Sequence, residues 1–264
     1  MSERALQLIA KNRQTKDISL NLENCDLTEL PDALSECVWL ETLVLKRNQV
    51  SDISALQHLI PLTELELMCN RISDISVLKS LTNLCLLNLA ANQVADISVL
   101  KNLTELTHLY LPDNQIFDIF PIQQLTCLEV LHLAVNQVSD IAALKDLINL
   151  RTLYLSSNQL SDVSVLVNLP RLTILCLSSN EISDISGLQS LTYLSDLNLS
   201  FNFLSDVSGL YPLTHLERLD LSENPLLEIP TDFKDHFPLL EDFIFSNEPG
   251  FYYGDDTDEW QSDL

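Results

Sequence analysis

The chain has 264 residues, with 14 Lys or Arg against 38 Asp or Glu and a formal net charge of −24. A balance this acidic excludes a nucleic-acid binder, which needs basic groups to neutralise phosphates, and a protein that docks on anionic membranes. Hydrophobic residues make up 46% and about a fifth are leucine, too much for disorder, while 4 glycines are too few for a phosphate-cradling loop.

At the N-terminus, residues 3–13 place Ala5, Leu6, Leu8 and Ile9 at spacings that fit one face of a short helix, with Glu3, Arg4, Lys11 and Arg13 outward. Residues 1–16 are therefore predicted to form a helical cap. The opening segment has no apolar run of signal-peptide length, and no stretch reaches the ~20 apolar residues of a membrane span. Six cysteines (Cys25, Cys37, Cys69, Cys85, Cys127, Cys176) form no CxxC pair, so zinc is not expected. Free thiols in a reducing cytoplasm are the expectation, with a Cys25–Cys37 disulfide as the alternative.

Residues 17–239 repeat. Leu40, Leu62, Leu84, Leu106, Leu128, Leu150, Leu172, Leu194 and Leu216 stand 22 apart. Each unit follows LxxLxLxxNxaSDaSxLxxLxx, where a is Ile, Val or Leu; the unit from Leu62 reads LTELELMCNRISDISVLKSLTN. Alternation around LxxLxLxx predicts a short strand, with Leu65 and Leu67 inward and Glu64 and Glu66 in solvent. The Ser-Asp stretch then opens a helical or 3-10 segment whose leucines, Leu78 and Leu81, face back inward. One unit cannot enclose these apolar positions; about ten stacked coils can. Two polar columns run through the array. Asparagines (Asn48, Asn70, Asn92, Asn114, Asn136, Asn158, Asn180, Asn202, Asn224) are expected to satisfy backbone groups where each coil turns. Aspartates (Asp52, Asp74, Asp96, Asp118, Asp140, Asp162, Asp184, Asp206), with the serine two residues later, are expected to accept from N–H groups at the start of the next segment. Calcium on the aspartate column is the alternative, disfavoured by the scarcity of glycine; no metal or cofactor is expected.

Four coils depart from the pattern. In the first, Cys25 stands where the asparagine belongs. In the coil from Leu106, Phe117 and Phe120 replace serines and Pro121 follows; packing against neighbouring coils is expected, with an exposed contact or dimer patch as the alternative. Phe201 and Phe203 present a weaker version. The last unit, Leu216 to Leu239, is longer, with a helical stretch holding Phe233 and Phe237. Residues 240–264 are read as a capping strand and an acidic tail. Solubility is the plain reading of that tail, and a cation-seeking segment anchored by Phe251, Tyr252, Tyr253 and Trp260 the sharper one.

The NxISDISxL units resemble bacterial 22-residue leucine-rich repeats of the internalin kind, as in Asn70-Arg-Ile-Ser-Asp-Ile-Ser-Val-Leu. The opening ISLNLENCDLTELP is similar to the front of repeat arrays in Roco-type GTPase proteins. The resemblance implies an α/β solenoid, a right-handed arc with a concave parallel β-sheet and short helical or 3-10 segments on the convex side. It also implies recognition of a protein without catalysis. No export module and no GxxxxGKS/T is present in the sequence, which reads as a freestanding cytoplasmic repeat protein or an excised repeat domain.

Positions 3, 5, 7 and 8 of each unit are expected to face out on the concave sheet, where such arrays bind, and positions 3 and 5 are read along the stack. Tyr110, His132 and Tyr154 fall on consecutive strands, with His108, Val130, Leu86 and Ile174 around them. The repeat itself does not call for aromatics there, and Tyr is a common interface anchor. Glu64 and Glu66 make an acidic edge on one side; Asp196, Asn198 and Asp220 make a polar and acidic edge on the other. The expected partner is a protein with a basic surface. A monomer is expected, a weak dimer being the alternative. Two other readings stay open: a regulatory subunit of an enzyme, of the phosphatase-regulator type, and the recognition domain of a larger signalling or effector chain. No motif for nucleophilic or metal catalysis occurs.

Overall fold

Leucines that recur every 22 residues find their cover in the next coil, so each coil supplies a three-residue strand and a short 3-10 turn and shelters the apolar side chains of its neighbour. The computed structural model describes residues 2–226 and 229–245, which divide into two units, Met1–His132 and Leu133–Leu264. The first unit opens with helix α1 (Glu3–Thr15). Strands β1 (Ser19–Asn21), β2 (Thr42–Val44), β3 (Glu64–Glu66), β4 (Leu86–Asn88), β5 (His108–Tyr110) and β6 (Val130–His132) follow, parallel and paired in chain order. The second unit holds β7 (Thr152–Tyr154), β8 (Ile174–Cys176), β9 (Asp196–Asn198), β10 (Arg218–Asp220) and β11 (Asp242–Ile244), paired in the same way. Each is a leucine-rich-repeat solenoid. A typical register, Leu65↔Leu87, repeats the sequence period; Leu20↔Leu43 and Leu219↔Phe243 show the longer first and last coils.

The inward residues carry the stability. In the coil from Leu62, Leu62, Leu65, Leu67, Ile72, Ile75, Leu78 and Leu81 are all buried, each contributing roughly 1.5–3 kcal/mol of hydrophobic stabilisation. Leu78 lies in the 3-10 turn Ser76–Ser80 and Leu81 follows it. The turn shortens to Ser186–Leu188 at Gly187. A Cβ there would lie 2.8 Å from the Ser164 Cα and the Val163 carbonyl oxygen, so only glycine fits.

The asparagine column is a hydrogen-bond ladder. The Asn70 amide donates to the carbonyls of Leu67 (2.9 Å) and Met68 (3.3 Å) in its own coil and of Leu45 (3.0 Å) in the coil before. Its oxygen accepts from the Val50 N–H at 3.0 Å. Asn92, Asn114, Asn180, Asn202 and Asn224 do the same. The residue before each such asparagine is left-handed, including Ala91 (φ 52°), Val135 (φ 55°) and Phe201 (φ 54°). That turn lets one amide meet successive carbonyls, at a conformational cost for side chains other than glycine. Cys25 departs from the column because no earlier coil stands in front of it; its thiol makes only a 3.6 Å contact with the Glu23 carbonyl.

The aspartates cap the 3-10 turns. Each carboxylate from Asp52 to Asp206 accepts the N–H two residues on, as Asp74 does from Ser76 at 2.8 Å. The serine differs from expectation: its hydroxyl donates to the carboxylate, as from Ser208 to Asp206 at 2.7 Å. Because the aspartate already holds the N–H, the hydroxyl is left to bond the carboxylate instead.

Helix α1 starts at a Ser2 cap and ends at a left-handed Lys16. Its buried face is Ala5, Ile9 and Asn12, whereas Leu6 is 38% exposed. The sequence reading placed Leu6 on that face; its position one turn-edge away puts it in solvent. Asn12 fastens the helix, donating to the carbonyls of Asp17 and Ser19 (both 3.0 Å) and accepting from Trp39 Nε1 (3.0 Å). Lys16 Nζ sits 3.3 Å from the Trp39 ring centroid, and Arg13 pairs with Glu36. At the other end the turn Phe233–His236 is short, not the extended helical stretch expected; the additional residues of the coil precede it. Phe233 packs on Phe237, Phe243 and Tyr211 with centroids 4.9, 5.5 and 6.0 Å apart. The tail anchors Phe251, Tyr252, Tyr253 and Trp260 lie outside the described residues.

Phe117 and Phe120 do not pack against neighbouring coils: they are 64% and 63% exposed. They sit where other coils carry solvent-facing serines, and a phenyl there has no cavity to enter. Cys25 and Cys37 are free thiols, as are Cys69, Cys85 and Cys127. No helix among the described residues is long and apolar enough to cross a membrane.

Candidate functional site

Because the 22-residue register stacks like positions, each outward column of a unit becomes a row across its sheet. In the first unit, one row runs Thr42, Glu64, Leu86, His108, Val130 and the next runs Val44, Glu66, Asn88, Tyr110, His132. Leu86, His108, Tyr110 and Val130 are half-buried side by side, and the next row, two residues beyond position 5, holds the buried Met68, Ala90 and Pro112. His108 stacks beside Tyr110, with ring centroids 6.4 Å apart and planes at 29°. The His108 Nδ1 lies 2.9 Å from the Thr107 hydroxyl. Burial pushes the Tyr110 phenol above its ordinary range, and the Glu66 charge pushes it further.

His132 corrects the sequence reading. It occupies the outward row, yet is only 3% exposed. It therefore offers a partner almost no surface; a strand position fixes the direction a side chain takes, not how far its neighbours cover it. Asn88 is likewise buried, its Oδ1 accepting from the Ala90 N–H at 3.0 Å.

The acidic edge of this unit is built of two different carboxylates. Glu64 is exposed and accepts from the Thr42 hydroxyl at 3.4 Å. Glu66 is mostly covered, and its Oε2 accepts no hydrogen bond. Lys46 Nζ lies 3.4 Å from that oxygen, with side-chain exposures of 11% for Lys46 and 17% for Glu66. In so sheltered a place an unbalanced carboxylate would be costly, so the lysine is needed there. Lys46 was not among the residues expected, although its position, two after the outward residue of β2, was readable from the column.

In the second unit the rows run Thr152, Ile174, Asp196, Arg218 and Tyr154, Cys176, Asn198, Asp220. Tyr154 and Ile174 are half-buried. The expected acidic edge is partly neutralised: Asp196 Oδ2 accepts from Arg218 Nε at 2.7 Å. Asp220 Oδ1 accepts from both the N–H (2.9 Å) and the hydroxyl (2.6 Å) of Ser222, and Asn198 treats Ser200 in the same way at 2.9 and 2.7 Å. Cys176 Sγ lies 3.4 Å from the Ser178 hydroxyl. The hydroxyl row Ser178, Ser200, Ser222 occupies position 7, an outward position of the repeat; it went unnamed because only positions 3 and 5 were read along the stack.

Among the described residues no three His, Cys, Asp or Glu side chains gather as a metal ion requires. The outward rows of both sheets mix half-buried apolar and aromatic side chains with polar and charged ones.

Comparison with known proteins agrees with this geometry. Family descriptions for leucine-rich repeats match residues 60–116, 104–146, 148–190 and 215–236, two of those segments as a two-copy repeat. An internalin C2 from Listeria monocytogenes is similar in structure at TM-score 0.72 and 32% identity, over 75% of this chain and 93% of that one. An internalin (inlF) of the same organism superposes at TM-score 0.65 and 27% identity, covering 93% and 89% of the two chains. The leucine-rich-repeat ectodomain of the Arabidopsis thaliana receptor kinase GASSHO1/SCHENGEN3, solved in complex with Casparian strip integrity factor 2, matches at TM-score 0.69 and 29% identity, over 78% of this chain and 27% of that one. No curated protein matches in sequence.

Proposed function

The chain belongs to the leucine-rich-repeat proteins, with repeats of the bacterial internalin-like class, and from that premise we propose that it is a non-catalytic scaffold that binds a protein partner on its strand faces. Leucine-rich-repeat proteins act in general as protein-interaction scaffolds, and the plant ectodomain above was solved with a bound factor. The observation that carries the proposal is the half-buried group Leu86, His108, Tyr110 and Val130 on the first unit. Nothing in the repeat's own packing needs an aromatic there, and a phenol ring offers large area at low entropic cost with a polar tip. Tyr154 and Ile174 play the corresponding part on the second unit. Glu64 is the exposed charge of the rim and favours a partner with basic groups. The free thiols Cys25, Cys37, Cys69, Cys85 and Cys127 fit a reducing compartment, and the cytoplasm is the proposed location.

The test is a partner captured from source-cell extract, identified by mass spectrometry and then titrated against variants. Tyr110→Ala is expected to weaken binding about tenfold or more without lowering the melting temperature appreciably. Unchanged affinity for that partner would remove Tyr110 as the anchor.

A further inference from the structure

The coil spanning residues 106–127 departs from the repeat pattern in three ways at one place. Phe117 and Phe120 stand at serine positions and are largely exposed. Between them Asp118 caps the turn Phe120–Gln124, its Oδ1 accepting from the Phe120 N–H at 2.8 Å. Where a serine follows, as Ser208 follows Asp206, its hydroxyl can also bond the carboxylate; Phe120 has none to give, and neither has Ala142 beside Asp140 in the next coil. Finally, the 3-10 turns of the two preceding coils carry Lys79 and Lys101, whereas this turn has Gln123 at the matching position, and the whole coil contains neither Lys nor Arg.

Two exposed rings, a carboxylate relieved of one internal donor and a missing cation combine into an aromatic and anionic patch away from the strand face. Asp96, exposed in the coil before, extends the negative side. We infer that this patch is a second docking surface, and that its occupant is a basic segment of another protein that also bears apolar side chains. Charge decides between occupants. A second copy of a chain carrying −24 would bring like charge to a carboxylate-lined surface. A guanidinium or ammonium instead lies over a phenyl face and bonds the carboxylate between the rings, while neighbouring apolar groups cover the rest of the phenyl area.

The experiment uses the full chain at physiological ionic strength and two short synthetic peptides. In one, arginine and leucine alternate; in the other, serine replaces each leucine. Binding is measured by fluorescence anisotropy against Phe117→Ser/Phe120→Ser, which restores the residues other coils use, against Asp118→Asn, whose side-chain oxygen still caps the turn, and against Tyr110→Ala. The expected result is binding of the arginine–leucine peptide that falls about tenfold in each of the first two variants, is unchanged in Tyr110→Ala, and is much weaker for the serine peptide. Absence of binding, equal binding of both peptides, retention in both patch variants, or loss in Tyr110→Ala instead would overturn the inference. So would sedimentation showing a dimer that Phe117→Ser/Phe120→Ser dissolves, which would assign the patch to a second copy.

Discussion

The strand faces of the two units share one repeat and carry opposite chemistry. The first gathers Leu86, His108, Tyr110 and Val130 beside the row of Met68, Ala90 and Pro112, with Lys46 and Glu66 as a sheltered ion pair. Beyond Tyr154 and Ile174, the second turns to groups already bonded among themselves: Asp196 to Arg218, Asn198 to Ser200, Asp220 to Ser222. The repeat dictates what points inward and leaves the outward columns free. A polar group saturated by its neighbour gains little from a partner, whereas apolar area gains whenever it is covered. On the function proposed above, the first unit is expected to offer the stronger anchors.

If the units differ only in their faces, damage to the shared framework must cost the same in both. Asn70→Ala in the first and Asn158→Ala in the second each strip three carbonyls and one N–H of their partner. A loss of roughly 3–5 kcal/mol is expected for each in urea unfolding, and a large disparity would break the comparison. On the faces themselves the effects should diverge. Tyr110→Ala is expected to cost about 2 kcal/mol of partner affinity, against little for Ser200→Ala with Ser222→Ala; the reverse order in calorimetric titration would assign the anchor to the second unit.

A smaller effect concerns the left-handed residues. Val135→Asn should raise stability by about 1 kcal/mol, because a β-branched side chain is the least suited to that conformation, and Ala91→Asn should gain less. Thermal melts of the two variants check the order. The smallest effect is acid sensitivity, and it should be common to both units. The Ser54, Ser76 and Ser98 N–H groups, then their hydroxyls, hold Asp52, Asp74 and Asp96 below the usual carboxylate range. The hydroxyls of Ser164 and Ser208, then their N–H groups, do so for Asp162 and Asp206. A depressed folded-state pKa gives stability that is present above the unfolded value and lost as pH falls through the folded one. Melting temperature should thus decline below about pH 4, and Asp74→Asn or Asp162→Asn should flatten the decline slightly.

Much of this was legible in the sequence because inward positions obey a period. Leu65, Leu78, the asparagine ladder and the aspartate caps each follow from what one coil must do for the next. Less legible was whatever depends on the shape of neighbours. The column named His132 as outward but not as covered, and it named Asp196 without its partner, although Arg218 stands one period later in the same row. Leu6 shows the same limit on α1: helical spacing gave an apolar arc broader than the part that Asn12 and Trp39 allow to dock.

The asparagine ladder has a direction. Within each unit the amides reach from their own coil to a carbonyl of the coil made earlier, and their oxygens take an N–H there. Within a unit, a coil that emerges later from the ribosome carries the amide that completes the hydrogen bonding of its predecessor, so the bonding itself leaves one unfinished layer at a time. Assembly by elongation is written into the orientation of a single side chain.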